Sequence, residues 1–250
     1  MISAVVNTCN EEKYIERCLE HLKWVDEIVV VDMYSTDKSV EIARQYTDKI
    51  YFHPRVPSVE LVRNFALRKA NGDWILIVDP DEVIPEILAQ EMLRRIDLNP
   101  DFSALAFPRK DIFWDRYLKH AYPLQWQTRL FKKGYVVFPE CVHTRPEIKG
   151  KVIYLPQEES FCLIHYNFER ISQFLEKTNR YTTGEAEDLD KKGVKFNELD
   201  LFKKPLAEFY CRYFLRKGYK DGMEGFLFCA LMALYRFLAW AKLWEMKKNR

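Results

Sequence analysis

Residues 74–82 read Trp74-Ile75-Leu76-Ile77-Val78-Asp79-Pro80-Asp81-Glu82, five apolar residues running straight into an acidic cluster. A short apolar run closed by a turn signal is the mark of a buried strand, and here carboxylates stand where the strand stops. In an open α/β sheet, ligands bind in the crevice beyond the carboxyl ends of the strands, so Asp79 and Asp81 are expected to face a ligand. Two carboxylates one residue apart can hold a hard divalent cation. Mg²⁺ or Mn²⁺ keeps coordination positions for water and substrate phosphate, so few protein ligands are needed. The plainer reading of the same residues is a solvated turn with Pro80 at its corner.

On either side of this stretch, strand and helix signals alternate. Short β-type runs at Ile2–Val6, Glu27–Asp32 and Lys49–Phe52 each end in polar residues. Between them Ile15, Cys18, Leu19 and Leu22 share a helical face after Asn10, and Val40 and Ala43 do so after Ser35-Thr36, with Asp37 in the first turn. Ser58 is expected to cap a third helix through Leu61, Val62, Phe65 and Ala66, and Pro85 to open a fourth over Glu86–Ile96. This order predicts an α/β fold with a mixed, mainly parallel sheet flanked by helices. Polar residues gather at three strand ends: Thr8, Asn10 and Glu11; Asp32; Asp79 and Asp81. Singly, Asn10 could be a helix cap and Asp32 a turn residue; together they point to a site. The chain has no G-x-G-x-x-G and no G-x-x-x-x-G-K-[ST], the signatures of a dinucleotide-binding or P-loop enzyme.

Composition narrows the classes further. The 250 residues are 48% hydrophobic, enough for a full core, and 30% charged with a net charge of only +2. That balance gives no case for nucleic-acid binding. Six scattered cysteines without a C-x-x-C pair, and a β-type run almost at the N-terminus instead of a signal peptide, point to reduced thiols and a cytoplasmic protein.

The run Val6-Asn7-Thr8-Cys9-Asn10-Glu11-Glu12, then Val31-Asp32 with Ser35-Thr36-Asp37, then Val62-Arg63-Asn64, then Val78-Asp79-Pro80-Asp81-Glu82, resembles family 2 glycosyltransferases of the GT-A fold in order and spacing. It is most similar to the small bacterial branch acting on lipopolysaccharide core and related surface glycans, as are Gln127–Phe131, Ile164-His165-Tyr166, Lys177–Tyr181 and Lys217–Gly222. The resemblance implies a metal-dependent, inverting hexosyltransferase that uses a nucleoside-diphosphate sugar, a UDP-sugar first, and a glycan or glycolipid acceptor. It implies that Thr8, Asn10, Glu11 and Asp32 line the nucleoside pocket, that Arg63 meets the base or a phosphate, and that Asp79 faces the ribose. Asp81 would bind Mg²⁺ or Mn²⁺, with His165 as a further metal or diphosphate contact. After Phe161-Cys162-Leu163-Ile164, His165 also reads as a core histidine.

Inversion needs a base for the acceptor hydroxyl. Relatives carry V-H-E near Val142-His143, where this chain has Thr144, so Glu140 is the first candidate, with His143 orienting the acceptor and Glu147, Asp111 and Asp115 behind. Phe113-Trp114, Tyr117, Tyr122 and Trp126 suit either stacking on sugar rings or a core; Trp126 and Arg129 are the expected acceptor contacts. The chain thus divides into a nucleotide-sugar half (1–100), an acceptor half (101–170) and a helical extension (171–250). In that extension the apolar run Phe226–Trp240, interrupted by Arg236, falls short of the ~20 residues that cross a bilayer. With basic residues around it, it suits a helix lying on the anionic inner face of the cytoplasmic membrane. It could instead pack on the catalytic domain or on a second copy, making a homo-oligomer.

Two other classes fit less well. A sugar-nucleotide nucleotidyltransferase would carry a glycine-rich loop near the first strand, and Thr8–Lys13 has no glycine. A non-catalytic glycan-binding or scaffold protein would need none of the converging acidic strand ends.

Overall fold

The computed structural model describes residues 1–56, 59–98, 101–139 and 146–248. The chain forms two compact units, the first of residues 1–110 and 124–165 and the second of residues 111–123 and 166–250. This partition gives 111–123 to the C-terminal unit and sets no boundary near residue 100.

In the first unit, β1 (Ile2–Thr8), α1 (Ile15–Glu20), β2 (Glu27–Asp32), α2 (Ser39–Ala43), β3 (Ile50–Phe52), α3 (Glu60–Lys69) and β4 (Trp74–Val78) alternate as the sequence predicts. β5 (Glu82–Val83) and α4 (Glu86–Leu98) follow, then β6 (Ala104–Phe113), β7 (Arg116–Tyr117), β8 (Gln125–Lys132), β9 (Val136–Val137), β10 (Glu147–Ile148), β11 (Val152–Tyr154) and β12 (Leu163–Phe168). The main sheet has the order β3-β2-β1-β4-β8-β6-β12-β5. β1, β2, β3 and β4 are parallel, and β8 adds antiparallel to β4.

Every residue of β1 and β4 is buried, because helices cover both faces. Ala4 and Val6 pack in one layer with Leu19 of α1 and Leu88 of α4, whereas Val5 packs in the other with Val62 and Ala66 of α3. At the amino-terminal edge the buried Glu27 ties three segments together: it accepts from the Ser3 hydroxyl, from Asn71 and from the Lys49 ammonium. The expected cap Ser58 lies outside the described residues. Neither Asn10 nor the Ser35-Thr36 pair caps a helix, since α1 and α2 begin after Tyr14 and Lys38.

The second unit is built on α5 (Ile171–Lys191), α6 (Asp200–Tyr210) and α7 (Gly222–Lys248). Phe113 and Tyr122 are core here: Phe113 packs 4.9 Å from Phe168, 4.7 Å from Phe228 and 5.3 Å from Tyr122. Of the five aromatics that suit either sugar stacking or a core, Phe113 and Tyr122 are therefore packing. The Lys217–Gly222 motif is a helix connection. Lys217 and Gly222 adopt positive φ, and a Cβ on Gly218 would lie 2.8 Å from the Arg212 carbonyl oxygen. Asp221 Oδ2 accepts from the backbone N–H groups of His120 and Ala121. α7 has 27 residues, well beyond the apolar run at its centre, and is the one helix among the described residues long and apolar enough to cross a membrane.

Candidate active site

Register brings the polar strand ends to one rim. Thr8 lies beside Asp32 across β1 and β2, and Val6 beside Val78 across β1 and β4, so Asp79 follows at the level of the end of β1. The loops after β1 and β2 then lock together. Asp32 is fully buried and accepts from Ser35 twice, from its N–H at 2.8 Å and its hydroxyl at 2.5 Å. Asn10, at φ 59°, accepts from the Thr36 N–H at 2.7 Å and donates its own N–H to Ser35 Oγ. Asparagine is among the few residues that tolerate this left-handed conformation. The Glu11 N–H donates to Ser39 Oγ at 2.7 Å.

Buried polar atoms almost always find partners. At the end of β1 the Asn7 amide and the Thr8 hydroxyl are buried without one. Sequence reading passed over Asn7, whose place inside an apolar strand was its only signal.

The acidic turn is braced from behind. The Asp79 N–H donates to Glu82 Oε2 at 3.0 Å and the Glu82 N–H to the Asp79 carbonyl at 2.9 Å. Arg129 Nη2 stands 2.6 Å from both Asp79 Oδ2 and Glu82 Oε1, Arg63 Nη2 is 3.1 Å from Asp79 Oδ1, and Arg109 is 3.8 Å from Glu82. Burial would raise the Asp79 carboxyl, but the guanidinium groups of Arg129 and Arg63 outweigh it and hold Asp79 below the usual carboxylate range. For Glu82, with no exposure, burial prevails over Arg129 and its carboxyl is raised.

Arg129 is therefore not an open acceptor contact. It is 5% exposed and committed to Asp79 and Glu82, because β8 runs alongside β4 and aims it at the turn. Likewise Arg63 and Asp79, given separate contacts to base and ribose by resemblance, are partners of each other. Glu82 and Arg109 were missed as members of the cluster; the fourth letter of Asp-Pro-Asp-Glu was the available hint.

Asp81 sits in the braced turn. β12 pairs antiparallel with β5, setting His165 opposite Glu82, and His165 Nε2 comes 3.2 Å from Asp81 Oδ2. Their side chains are 12% and 22% exposed respectively, so His165 borders the site. One carboxylate and one imidazole are a suitable donor pair for a divalent cation whose other positions go to water and a ligand. Among the described residues no group of three or more His, Cys, Asp and Glu is set to hold a metal.

Glu140 and His143, expected as base and acceptor contact, lie outside the described residues. The chain leading to them is anchored: Asn64 donates to the Phe138 carbonyl at 2.6 Å and accepts from the Phe138 N–H at 2.9 Å, while the Arg63 guanidinium lies 5.2 Å from the Phe138 ring centroid. Trp126 is 40% exposed, edge-on to the exposed Tyr154 at 5.3 Å. Among the other carboxylates weighed as base, Asp111 is buried and accepts from Asn167, and Glu147 lies on β10.

Comparison with known proteins agrees with this architecture. An uncharacterized glycosyltransferase of Rickettsia felis is 31% identical over 258 residues, covering 98% of this chain and 89% of that one. The lipopolysaccharide core biosynthesis glycosyltransferase LpsC of Rhizobium meliloti is 26% identical over 98% of this chain and 92% of its own. The crystal structure of S. aureus TarS 1-349 in complex with UDP superimposes with a TM-score of 0.50 at 16% identity, covering all of this chain and 92% of that one, which shows the shared GT-A fold. The profile of Glycosyl transferase family 2 matches residues 3–147, and the chain belongs to that family: it is a glycosyltransferase.

Proposed function

We propose that this enzyme is a metal-dependent, inverting glycosyltransferase that moves a hexose from a UDP-sugar to lipopolysaccharide or another surface glycan. The observation that carries the reading is the Asp81–His165 pair at the rim shared by β1, β2 and β4. Asp81 and His165 would hold Mg²⁺ or Mn²⁺, which when bound supplies positive charge for the departing diphosphate. Thr8, Asn10, Glu11 and Asp32 form the nucleoside side of the pocket, with Arg63 and Asp79 beside them. Arg129 acts as a positioning residue, fixing the turn through Asp79 and Glu82.

Transfer breaks the bond from the anomeric carbon to the diphosphate oxygen and forms one to an acceptor oxygen. Glu140 takes the acceptor's proton, His143 orients that hydroxyl, and Trp126 offers an aromatic face to a sugar ring. Two relatives support the finer terms: LpsC is named for lipopolysaccharide core biosynthesis, and TarS, named a poly(ribitol-phosphate) beta-N-acetylglucosaminyltransferase, was crystallised with UDP.

The test is thermal denaturation with a panel of nucleoside diphosphates and their sugars, with and without Mn²⁺. Ligand at 100 times its dissociation constant stabilises the native state by about 2.7 kcal/mol, an easily read shift. A metal-dependent shift with uridine nucleotides, lost in Asp81→Ala, is expected. A shift with another base replaces the donor, and a uridine shift indifferent to metal and to Asp81→Ala overturns the metal assignment.

A further inference from the structure

The second unit carries an apolar face that its own packing does not use. On α6, Leu199 at its N-terminal boundary, Phe202, Leu206 and Tyr210 recur at helical spacing and are all exposed, Phe202 by 66% and Leu206 by 69%. The stripe continues through Phe214 and Leu215 into the connection before α7. Along α7 a matching stripe of Met223, Phe226, Phe237 and Trp244 is exposed as well. Soluble proteins rarely leave so continuous an apolar face bare.

Charge identifies the occupant. Of the acidic residues in the hairpin, Glu208 is engaged with Arg212 and Arg236, Asp221 with His120 and Glu224 with Arg116, while the half-buried Asp200 opens α6. Exposed Glu198 and Glu245 stand at its outer ends. What borders the apolar face between them is cationic, with Lys203, Arg216, Lys217 and Lys220 all exposed. Aromatic and aliphatic side chains rimmed by Lys and Arg match the boundary of an anionic bilayer.

We infer that the α6–α7 hairpin seats its exposed apolar face on an anionic lipid surface, with Arg216, Lys217 and Lys220 on the headgroups. The hairpin lies on the bilayer and does not cross it. The other face of α7 is structural: Phe228 packs with Phe113, and Trp240 and Leu243 pack with Ala186. Arg236, midway along, is 2.5 Å from Glu185. Drawing α7 into hydrocarbon would strip the unit of that core. The inference differs from a reading of Phe226–Trp240 alone, because α6 and the basic connection carry much of the contact. It goes beyond the proposed transfer reaction and stands or falls without it.

The experiment is co-sedimentation of the full chain with phosphatidylcholine vesicles, with or without phosphatidylglycerol, at low and high salt. Three proteins are compared: wild type, Phe202→Glu/Leu206→Glu and Arg216→Glu/Lys217→Glu/Lys220→Glu. Wild type should pellet with the anionic vesicles and be released by salt, and each variant should partition at least about tenfold less. Both should melt as wild type does and keep any nucleotide-induced thermal shift. Wild type remaining in the supernatant, or variants that bind as it does, overturns the inference. A concentration-dependent dimer that Phe202→Glu/Leu206→Glu dissociates, without vesicle binding, assigns the face to a second copy and overturns it too.

Discussion

His165 Nε2 lies 3.2 Å from Asp81 Oδ2, brought there by the antiparallel pairing of β12 with β5. If this pair binds the cation, removing the imidazole should weaken metal binding more than it weakens the fold. His165→Ala is expected to raise the Mn²⁺ concentration needed for half the nucleotide-dependent thermal shift by at least about tenfold, the lower end of what even an outer-shell partner of a metal is worth. An unchanged Mn²⁺ requirement would return His165 to the role of a core residue.

Arg129 separates the buried Glu82 from the half-buried Asp79, and its loss should be costly. Arg129→Met leaves Asp79 and Glu82 without their shared cation, and breaking a buried ion pair from one side costs about 3–5 kcal/mol. The loss should shrink as pH falls. Asp79 keeps Arg63, but Glu82, already raised by burial, loses its nearest cation and is raised further, a destabilisation present above its unfolded value and relieved by protonation. Adding Glu82→Gln should restore part of the stability. Urea denaturation at two pH values checks both statements; a variant as stable as wild type contradicts them.

Glu27 gives acid sensitivity of the opposite sign. Burial alone would raise its carboxyl, but the donors Lys49, Ser3 and Asn71 prevail and lower it to about 2. A depressed acid stabilises above its unfolded value, near 4.5, and the gain disappears as pH falls from there toward 2. At 1.36 kcal/mol per unit the contribution is about 3 kcal/mol. Glu27→Gln should flatten that part of the stability profile and lower stability at neutral pH. A variant profile parallel to that of wild type between pH 5 and pH 3, both being about the limits of a practical titration, would count against this origin.

Asn10 combines a left-handed backbone with a side-chain bond to the Thr36 N–H. Asn10→Gly keeps the backbone and loses the bond, a cost of about 1 kcal/mol. Asn10→Val loses both, adding about 1–2 kcal/mol of backbone strain. Chemical denaturation should rank them in that order, and equal stabilities would mean that the loop has moved.

The sheet was legible where local pattern decides it. The runs at 27–32 and 74–78 coincide with β2 and β4 because strands buried on both faces read as unbroken apolar stretches. What the pattern hid was long-range. Nothing local to Arg129 announces that β8 will aim it at Asp79 and Glu82, and nothing local to Phe113 separates a core ring from a sugar platform. The C-terminal helix was underestimated for a related reason: α7 extends beyond its apolar run because Lys242 is held by Asn179 and Lys247 by Asp190, contacts with α5 that hydropathy does not register.

The placing of His165 on a strand that pairs next to the acidic turn also orders events in time. Asp81 leaves the ribosome 84 residues before its imidazole partner. At about 5–20 residues per second, that interval lasts about 4–17 s. Through it a growing chain can complete β1 to β4 and their loops while only the carboxylate half of the Asp81–His165 pair exists. Under the proposed assignment the pair that would hold the cation is complete only when β12, the last strand in chain order, has been made.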